Sequence, residues 1–150
     1  MLVTPLFLCI GFMMAVLYID LMFDVSAVPH RHAKAPLPKE VLDPIIHYYG
    51  RITQNPYVLM FVMLTTVTCI GAQIVYDQAP RWAAYSSLVL MALIMLTGTL
   101  KVIPTAQRLG AGKDPEDAQT RMILGMLPFH LVLLISVLVL AMIQFRAAGS

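Results

Sequence analysis

Charged residues, cysteines and basic runs are all scarce in this 150-residue chain. Charged residues make up 12% of it, about half of the share that a typical soluble domain carries. The two cysteines form no CxxC pair, which argues against a zinc site or a dithiol redox centre. The net charge is +2, and no basic run alternates with aromatic residues. We therefore expect no nucleic-acid partner.

Long apolar runs take the place of these residues. Hydrophobic residues account for 59% of the chain and are concentrated in four runs, each close to the length of about 20 residues that crosses a bilayer. We predict one all-α domain, an integral membrane four-helix bundle in the lipid bilayer. Its spans cover approximately residues 2–25, 57–76, 82–102 and 122–145. No basic residue precedes the first run and two aspartates interrupt it, so we expect a retained span and not a cleaved signal peptide.

Basic residues are unevenly divided among the connections between these spans. Eight of the ten lie in the first and third loops, one lies in the second loop and one in the C-terminal tail. The eight are Arg31, Lys34, Lys39, Arg51, Lys101, Arg108, Lys113 and Arg121, and the other two are Arg81 and Arg146. Because basic loops stay in the cytoplasm, we predict a cell inner-membrane protein with loops one and three cytoplasmic and both termini outside.

The first loop contains a predicted amphipathic helix over residues 43–54. Asp43 precedes Pro44, an arrangement typical of a capped helix start. One face of this helix is apolar and aromatic, formed by Val41, Ile45, Tyr48, Tyr49 and Ile52. The pattern predicts a helix that lies at the cytoplasmic interface of the membrane, with its tyrosines at the level of the lipid headgroups.

Two carboxylates, Asp20 and Asp24, lie one helical turn apart near the cytoplasmic end of the first span. An acid within a span costs about 2.5 to 3.5 kcal/mol on insertion scales and is by default a functional candidate. We take both as candidate catalytic residues. The structural alternative is that Asp24 reaches headgroup water while Asp20 pairs with a basic residue and only holds the bundle together.

His130 is the third candidate catalytic residue, in the same layer of the fourth span as Asp20. Pro128 precedes it by two residues, and a proline within a span frees a backbone carbonyl and can kink the helix. An imidazole near that point favours a polar pocket toward the cytoplasm. The alternative is a histidine that is hydrogen-bonded across the bundle for structural reasons.

Four further residues are candidates for binding substrate or a developing oxyanion: Lys101, Arg121, His47 and Tyr48. Lys101 ends the third span and Arg121 begins the fourth; the alternatives for each are a side chain that extends to the membrane surface and one that neutralises Asp20 or Asp24. His47 lies on the polar face of the amphipathic helix, where solvation explains it as well.

Metal and cofactor signals are weak. The chain has no HExxH or ExxH signature, and His130 is the one histidine within a predicted span, which argues against a bis-histidine haem. We predict no metal site, with a mononuclear metal as the alternative, and leave the cofactor open.

The order of four segments resembles a known family. They are GFMMAVLYIDLMFDV, IIHYYGRITQNPYVLMF, KVIPTAQRLG and AQTRMILGMLPFH. Together they are similar to the anthrone-oxygenase-like family of small four-span membrane proteins, most closely at Asn55-Pro56 and at the VIP…RL run. Family members often carry asparagine where this chain has Arg51 and Thr105. The resemblance implies the four-span fold. It also suggests an activity, because some relatives oxidise a tricyclic anthrone to a quinone with molecular oxygen and without a prosthetic group.

Three functions follow from these observations. The first is an oxidoreductase or oxygenase that acts on a hydrophobic aromatic or lipid-like substrate through a polar pocket on the cytoplasmic side. The second is a non-catalytic accessory subunit of a larger membrane complex, in which the buried acids form interhelical pairs. The third is a small proton-coupled transporter that works as a homo-oligomer, for which a carboxylate within a span is the expected device.

Overall fold

The computed structural model describes residues 3–32 and 36–149, and every regular element within them is helical, which confirms the all-α prediction. The helices are α1 (Val3–Ser26), α2 (Lys39–Ile52), α3 (Tyr57–Val75), α4 (Arg81–Thr97), α5 (Ile103–Gly110) and α6 (Glu116–Ala148). A short 3₁₀ turn, Val28–His30, follows α1, and a π-helical turn, Gly98–Val102, joins α4 to α5 without a break.

Four helical segments are long and apolar enough to cross a membrane: Val3–His30, Tyr57–Val75, Arg81–Gly110 and Glu116–Ala148. They correspond to the four predicted spans and give the chain the build of an integral membrane protein. The third continues eight residues beyond its predicted end, and the fourth begins six residues before its predicted start. Hydropathy identifies only the apolar part of a helix, and these two helices continue beyond their apolar parts into polar sequence.

The four long helices form a ring in which α1 and α4 each pack against both α3 and α6. Two hydrophobic clusters fill it. The larger joins the spans and includes Ile10, Met13, Ile70, Met91 and Val137. The smaller lies at the end of the bundle that carries α2, called here the α2 end, and includes Leu42, Ile45, Leu109, Ile123 and Met126.

The amphipathic helix of the first loop begins at Lys39 and not at Pro44. The backbone N–H groups of Val41 and Leu42 donate to the carbonyl oxygen of Pro38, so Asp43 lies inside the helix and caps nothing. Pro44 is exposed, and its missing N–H removes one bond from the solvent side of α2. The earlier start places Leu42, 1% exposed, in the core.

Helix α2 packs on protein, and its Tyr49 is 1% exposed, so this tyrosine is directed into the bundle. Its buried side chains are Leu42, Ile45 and Tyr49, and its neighbour is α5. The two backbones meet at Gly50 and Gly110, where a Cβ added to Gly110 would lie 2.6 Å from the nitrogen of Gly50. Only a residue without a side chain permits this approach, which brings α2 against the ends of α1 and α6.

The π-helical turn interrupts the regular spacing of the third span. The N–H of Ile103 donates to the carbonyl oxygen of Gly98, five residues back. Such single turns contain one residue more than an α-helical turn and occur frequently at functional sites. Two residues of this turn, Thr99 and Val102, line the cavity described below.

Candidate functional site

Three polar side chains lie between the two hydrophobic clusters. Asp20 and Asp24 come from α1 and His130 from α6, with 6%, 1% and 0% of their surface exposed. Along α6, His130 separates Met126 of the smaller cluster from Leu133 of the larger one. The polar layer is thus enclosed by apolar side chains on both sides, where unpaired charge is costly.

Asp24 is the direct partner of His130. Its Oδ2 lies 2.6 Å from Nδ1 of the imidazole, and both side chains are fully buried. The other oxygen, Oδ1, accepts a hydrogen bond of 2.9 Å from the hydroxyl of Tyr49. The acid of the first helix and the imidazole of the last therefore meet, as the shared layer suggested, although the bonded acid is Asp24 and not Asp20.

Asp20 completes the cluster from the next turn of α1. Its Oδ1 accepts a hydrogen bond of 2.6 Å from the hydroxyl of Tyr48. Its Oδ2 lies 3.9 Å from Nε2 of His130, which is outside hydrogen-bonding distance. The ring of Tyr48 stacks on Phe23, with the centroids 4.2 Å apart. Neither expected alternative, headgroup water for Asp24 or a basic partner for Asp20, describes this arrangement.

The two tyrosines act as neutral donors. Burial, and then the negative charge of the neighbouring aspartates, raises the pKa of both Tyr48 and Tyr49 well above its ordinary value of 10. Each hydroxyl therefore keeps its proton and donates a hydrogen bond to a carboxylate oxygen. Helix α2 thus supplies the hydrogen bonds that offset the cost of burying two acids.

The imidazole has one satisfied nitrogen and one unsatisfied nitrogen. We assign the proton to Nδ1, because it faces a carboxylate oxygen at hydrogen-bonding distance. Nε2 then carries a lone pair, and it is buried with no hydrogen-bond partner among the residues that the structure describes. It faces Oδ2 of Asp20, which is also an acceptor. At 3.9 Å these two acceptors are too far apart to share a proton, and each can accept a proton from a third group.

A cavity of about 560 Å³ adjoins this pair. Asp20 and His130 line its wall together with Tyr49, and most of the remaining lining is apolar, including Phe12 and Met63. Its volume falls in the range of about 300 to 1,000 Å³ that is typical of small-molecule sites.

The rim of the cavity is apolar on the side that would face lipid. Met60 and Leu64 of α3 both line the cavity and are exposed by 51% and 56%. Phe12 of α1 is exposed by 41%. An apolar molecule that is dissolved in the bilayer would meet this rim first.

Three of the predicted site residues lie apart from the cluster. His47 and Lys101 are exposed, and Arg121 is exposed and pairs with Asp117 at 2.9 Å on its own helix. The lining of the cavity includes none of the three. Tyr48 is the predicted binding residue that does reach the cluster.

Sequence reasoning missed two residues of the site, Tyr49 and Arg51. Tyr49 was placed on the apolar face of α2, and its four-residue spacing from the buried Ile45 is the signal that would have indicated burial in protein. Arg51 was counted for topology and noted as a departure from the family pattern, but it was not predicted as a site residue, and it lines the cavity.

The cluster does not form a metal centre. Within residues 3–32 and 36–149, no group of three or more histidine, cysteine, aspartate or glutamate side chains has a geometry that would hold a metal ion. The reason lies at His130, because Asp24 lies at one ring nitrogen and Asp20 at the other. The two carboxylates are therefore directed at opposite edges of the imidazole and do not converge on one point.

A second buried polar network crosses the opposite end of the bundle. The side-chain amide of Gln73 donates to that of Gln144 at 2.9 Å, and Gln144 donates to the hydroxyl of Ser87 at 2.8 Å. These bonds join α3, α6 and α4 and contain no titratable group. They fix helix contacts in the way that polar side chains do within membranes.

Comparison with known proteins gives no relative for this chain: no protein family, curated protein or solved structure matches it.

Proposed function

We propose that the protein is a membrane-embedded enzyme that removes a proton from a hydrophobic aromatic or lipid-like substrate and allows dioxygen to oxidise the resulting carbanion. The observation that carries this proposal is Nε2 of His130, which is buried without a hydrogen-bond partner among the described residues and lies 3.9 Å from Oδ2 of Asp20, at the wall of a large apolar cavity. A buried proton acceptor beside a substrate-sized cavity is the arrangement that general-base catalysis needs.

Asp20 is the residue that contacts the substrate, because it keeps some exposure whereas His130 has none. Its carboxylate accepts the proton of an acidic C–H or phenol group. The protonated Oδ2 then passes the proton to Nε2 of His130, once a rotation of the Asp20 side chain shortens their separation from 3.9 Å to hydrogen-bonding distance. The imidazolium so formed lies between the carboxylates of Asp20 and Asp24, and their negative charge stabilises it.

Oxidation of the carbanion balances with one molecule of dioxygen. For a substrate methylene group, the carbanion and dioxygen form a C–O bond, and the proton held by the cluster returns to the terminal oxygen to give a hydroperoxide. Loss of water from the hydroperoxide leaves a carbonyl group. The electron pair of the remaining C–H bond forms the carbonyl as the O–O bond breaks, its proton leaves with the terminal hydroxyl as water, and the methylene carbon becomes the ketone carbon of a quinone. The resemblance to the anthrone-oxygenase-like family supports this choice of reaction.

The test uses anthrone as the substrate and separates the two steps. Without oxygen and in D₂O, the purified protein in lipid nanodiscs should catalyse exchange of the anthrone methylene protons, measured by NMR. With oxygen, quinone formation and oxygen consumption should match one to one. Asp20→Asn and His130→Ala should each lower both rates by about 10²- to 10⁴-fold.

Two variants serve as matched controls for these substitutions. Asp43→Asn and His32→Ala change the same residue types at exposed positions and should keep full activity. Equal exchange rates in His130→Ala and the unmodified protein would contradict the proposed base. A stable complex with other proteins and no exchange activity would favour the accessory-subunit function.

A further inference from the structure

The cavity has two chemically different ends. Its wall along α1, α3 and α4 is apolar and includes Phe12, Leu59, Met63 and Met95. Its end near α2 is polar, and there the lining is formed by Arg51, Thr53, Asn55 and Gln107. Between Phe12 and Asp20 the apolar wall extends about 12 Å along α1, at 1.5 Å rise per residue.

Arg51 gives the polar end a positive charge. Among the described residues that line the cavity it is the one cation, and its guanidinium has no ion pair with any described residue. Two other cations near this end are paired: Arg108 with Asp114 at 2.8 Å, and Lys39 with Glu116 at 3.5 Å. Arg51 therefore keeps its donors available at the mouth of the cavity.

The negative charge in the cavity is located elsewhere. Asp20 lines the wall at the layer of His130, within the bundle. A negatively charged group would be repelled by Asp20 and attracted by Arg51, so the two residues fix one orientation for a charged ligand. A guanidinium presents paired donors that fit a carboxylate or a phosphate.

We propose that the cavity binds an anionic amphiphile, with its carboxylate or phosphate group at Arg51 and its apolar body along α1 and α3. This inference rests on the proposed function and narrows it, because binding in this orientation places the reacting C–H of the ligand beside Asp20. The natural substrate is then a hydrophobic molecule with one anionic group, and anthrone reproduces its reacting C–H but not that group.

The test measures binding without turnover. The probes are a long-chain carboxylic acid with a photoreactive diazirine in its chain and the methyl ester of that acid. The protein is held in phosphatidylcholine nanodiscs, and saturable labelling of the α1 and α3 peptides is measured by mass spectrometry. The acid should reach half-saturation at a concentration roughly tenfold lower than the ester.

Substitutions assign this difference to one residue. Arg51→Gln should raise the half-saturating concentration of the acid roughly tenfold and leave the ester unchanged, and Arg51→Lys should keep most of the preference. Arg81→Gln removes the same charge at an exposed position, at the N-terminal end of α4. It should leave the half-saturating concentrations of both acid and ester unchanged. Equal labelling by acid and ester, or equal effects of Arg51→Gln and Arg81→Gln, would overturn the proposal.

Two further arms separate the source of the ligand and the proposed chemistry. If phosphatidylglycerol in the nanodiscs competes with the acid in the unmodified protein but not in Arg51→Gln, the anionic group belongs to a bilayer lipid. If it does not compete, a free acid is the ligand. His130→Ala should still show the preference for the acid, so failure of the proposed catalysis would leave this binding result standing.

Discussion

Replacement of Tyr49 by phenylalanine tests whether the α2 end is held together by buried acids. The change removes one hydroxyl and keeps the ring, so the packing of the smaller cluster is preserved. Tyr49 is 1% exposed and Asp24 is 1% exposed, so water cannot reach the carboxylate to replace the lost donor. Asp24 would retain only its bond to His130.

The magnitude follows from this loss. A hydrogen bond to a charged group contributes about 1.5 to 3 kcal/mol, and a buried acceptor that loses its donor carries the full desolvation cost. We therefore expect Tyr49→Phe to lower the free energy of unfolding by about 2 kcal/mol. Tyr48→Phe should cost less, about 1 kcal/mol, because Tyr48 is only half-buried and water can take its place at Asp20.

The assay is reversible unfolding in mixed micelles with increasing sodium dodecyl sulfate, followed by circular dichroism. Tyr85→Phe is the matched control, because the Tyr85 side chain is 54% exposed on α4. This substitution should leave the free energy of unfolding unchanged. A double-mutant cycle with Asp24→Asn should show a coupling energy above about 1 kcal/mol. A loss for Tyr49→Phe no larger than for the control would refute the reasoning.

Three other properties can be measured in the same assay. Gly110→Ala should lower the free energy of unfolding by about 1 to 3 kcal/mol because its methyl group would collide with α2. The control is Gly125→Ala, whose methyl group would meet nothing within 4 Å and which should be neutral or stabilising. Equal effects of the two substitutions would contradict the contact between Gly110 and α2. Because the pKa values of Tyr48 and Tyr49 are raised in the folded protein, the stability from their protonated hydroxyls is complete below pH 10 and should be lost as the pH rises further. Tyr48→Phe/Tyr49→Phe should therefore show a flatter decline above pH 10. Gln144→Leu should lower the free energy of unfolding by about 1 kcal/mol. An unchanged free energy would show that the hydrogen bonds of Gln144 to Gln73 and Ser87 do not stabilise the bundle.

The sequence predicted the four spans and the depth at which the acids and His130 lie in the bundle, because both follow from the positions of residues along a helix. Apolar runs determine which residues cross a bilayer. The positions of Asp24 and His130 within their helices also place them at similar depth. The position of each helix end, by contrast, depended on packing, since the buried Leu42 requires α2 to begin before the Asp43-Pro44 pair.

The partners within the site could not be predicted in the same way. Tyr49 reaches Asp24 because α2 docks on α5, and that docking depends on Gly50 and Gly110, which are sixty residues apart in the chain. Lys101 illustrates a second limit to pattern reading. It lies in a π-helical turn, where regular helical spacing no longer states which side of the helix a residue occupies.

That π-helical turn has a geometric consequence for the whole α2 end. Each residue of an α-helix advances the chain by about 100° around the axis, whereas a π-helical turn takes up one additional residue within a single turn. The helix that follows therefore keeps the rotational position that an uninterrupted α-helix one residue shorter would give it. A deletion between Gly98 and Val102 would close the turn and leave Gly110 facing Gly50, whereas a deletion within α5 would rotate Gly110 away by about 100° and remove the surface on which α2 packs. The position of two tyrosine hydroxyls therefore depends on the length of α5, a helix with which neither hydroxyl forms a hydrogen bond.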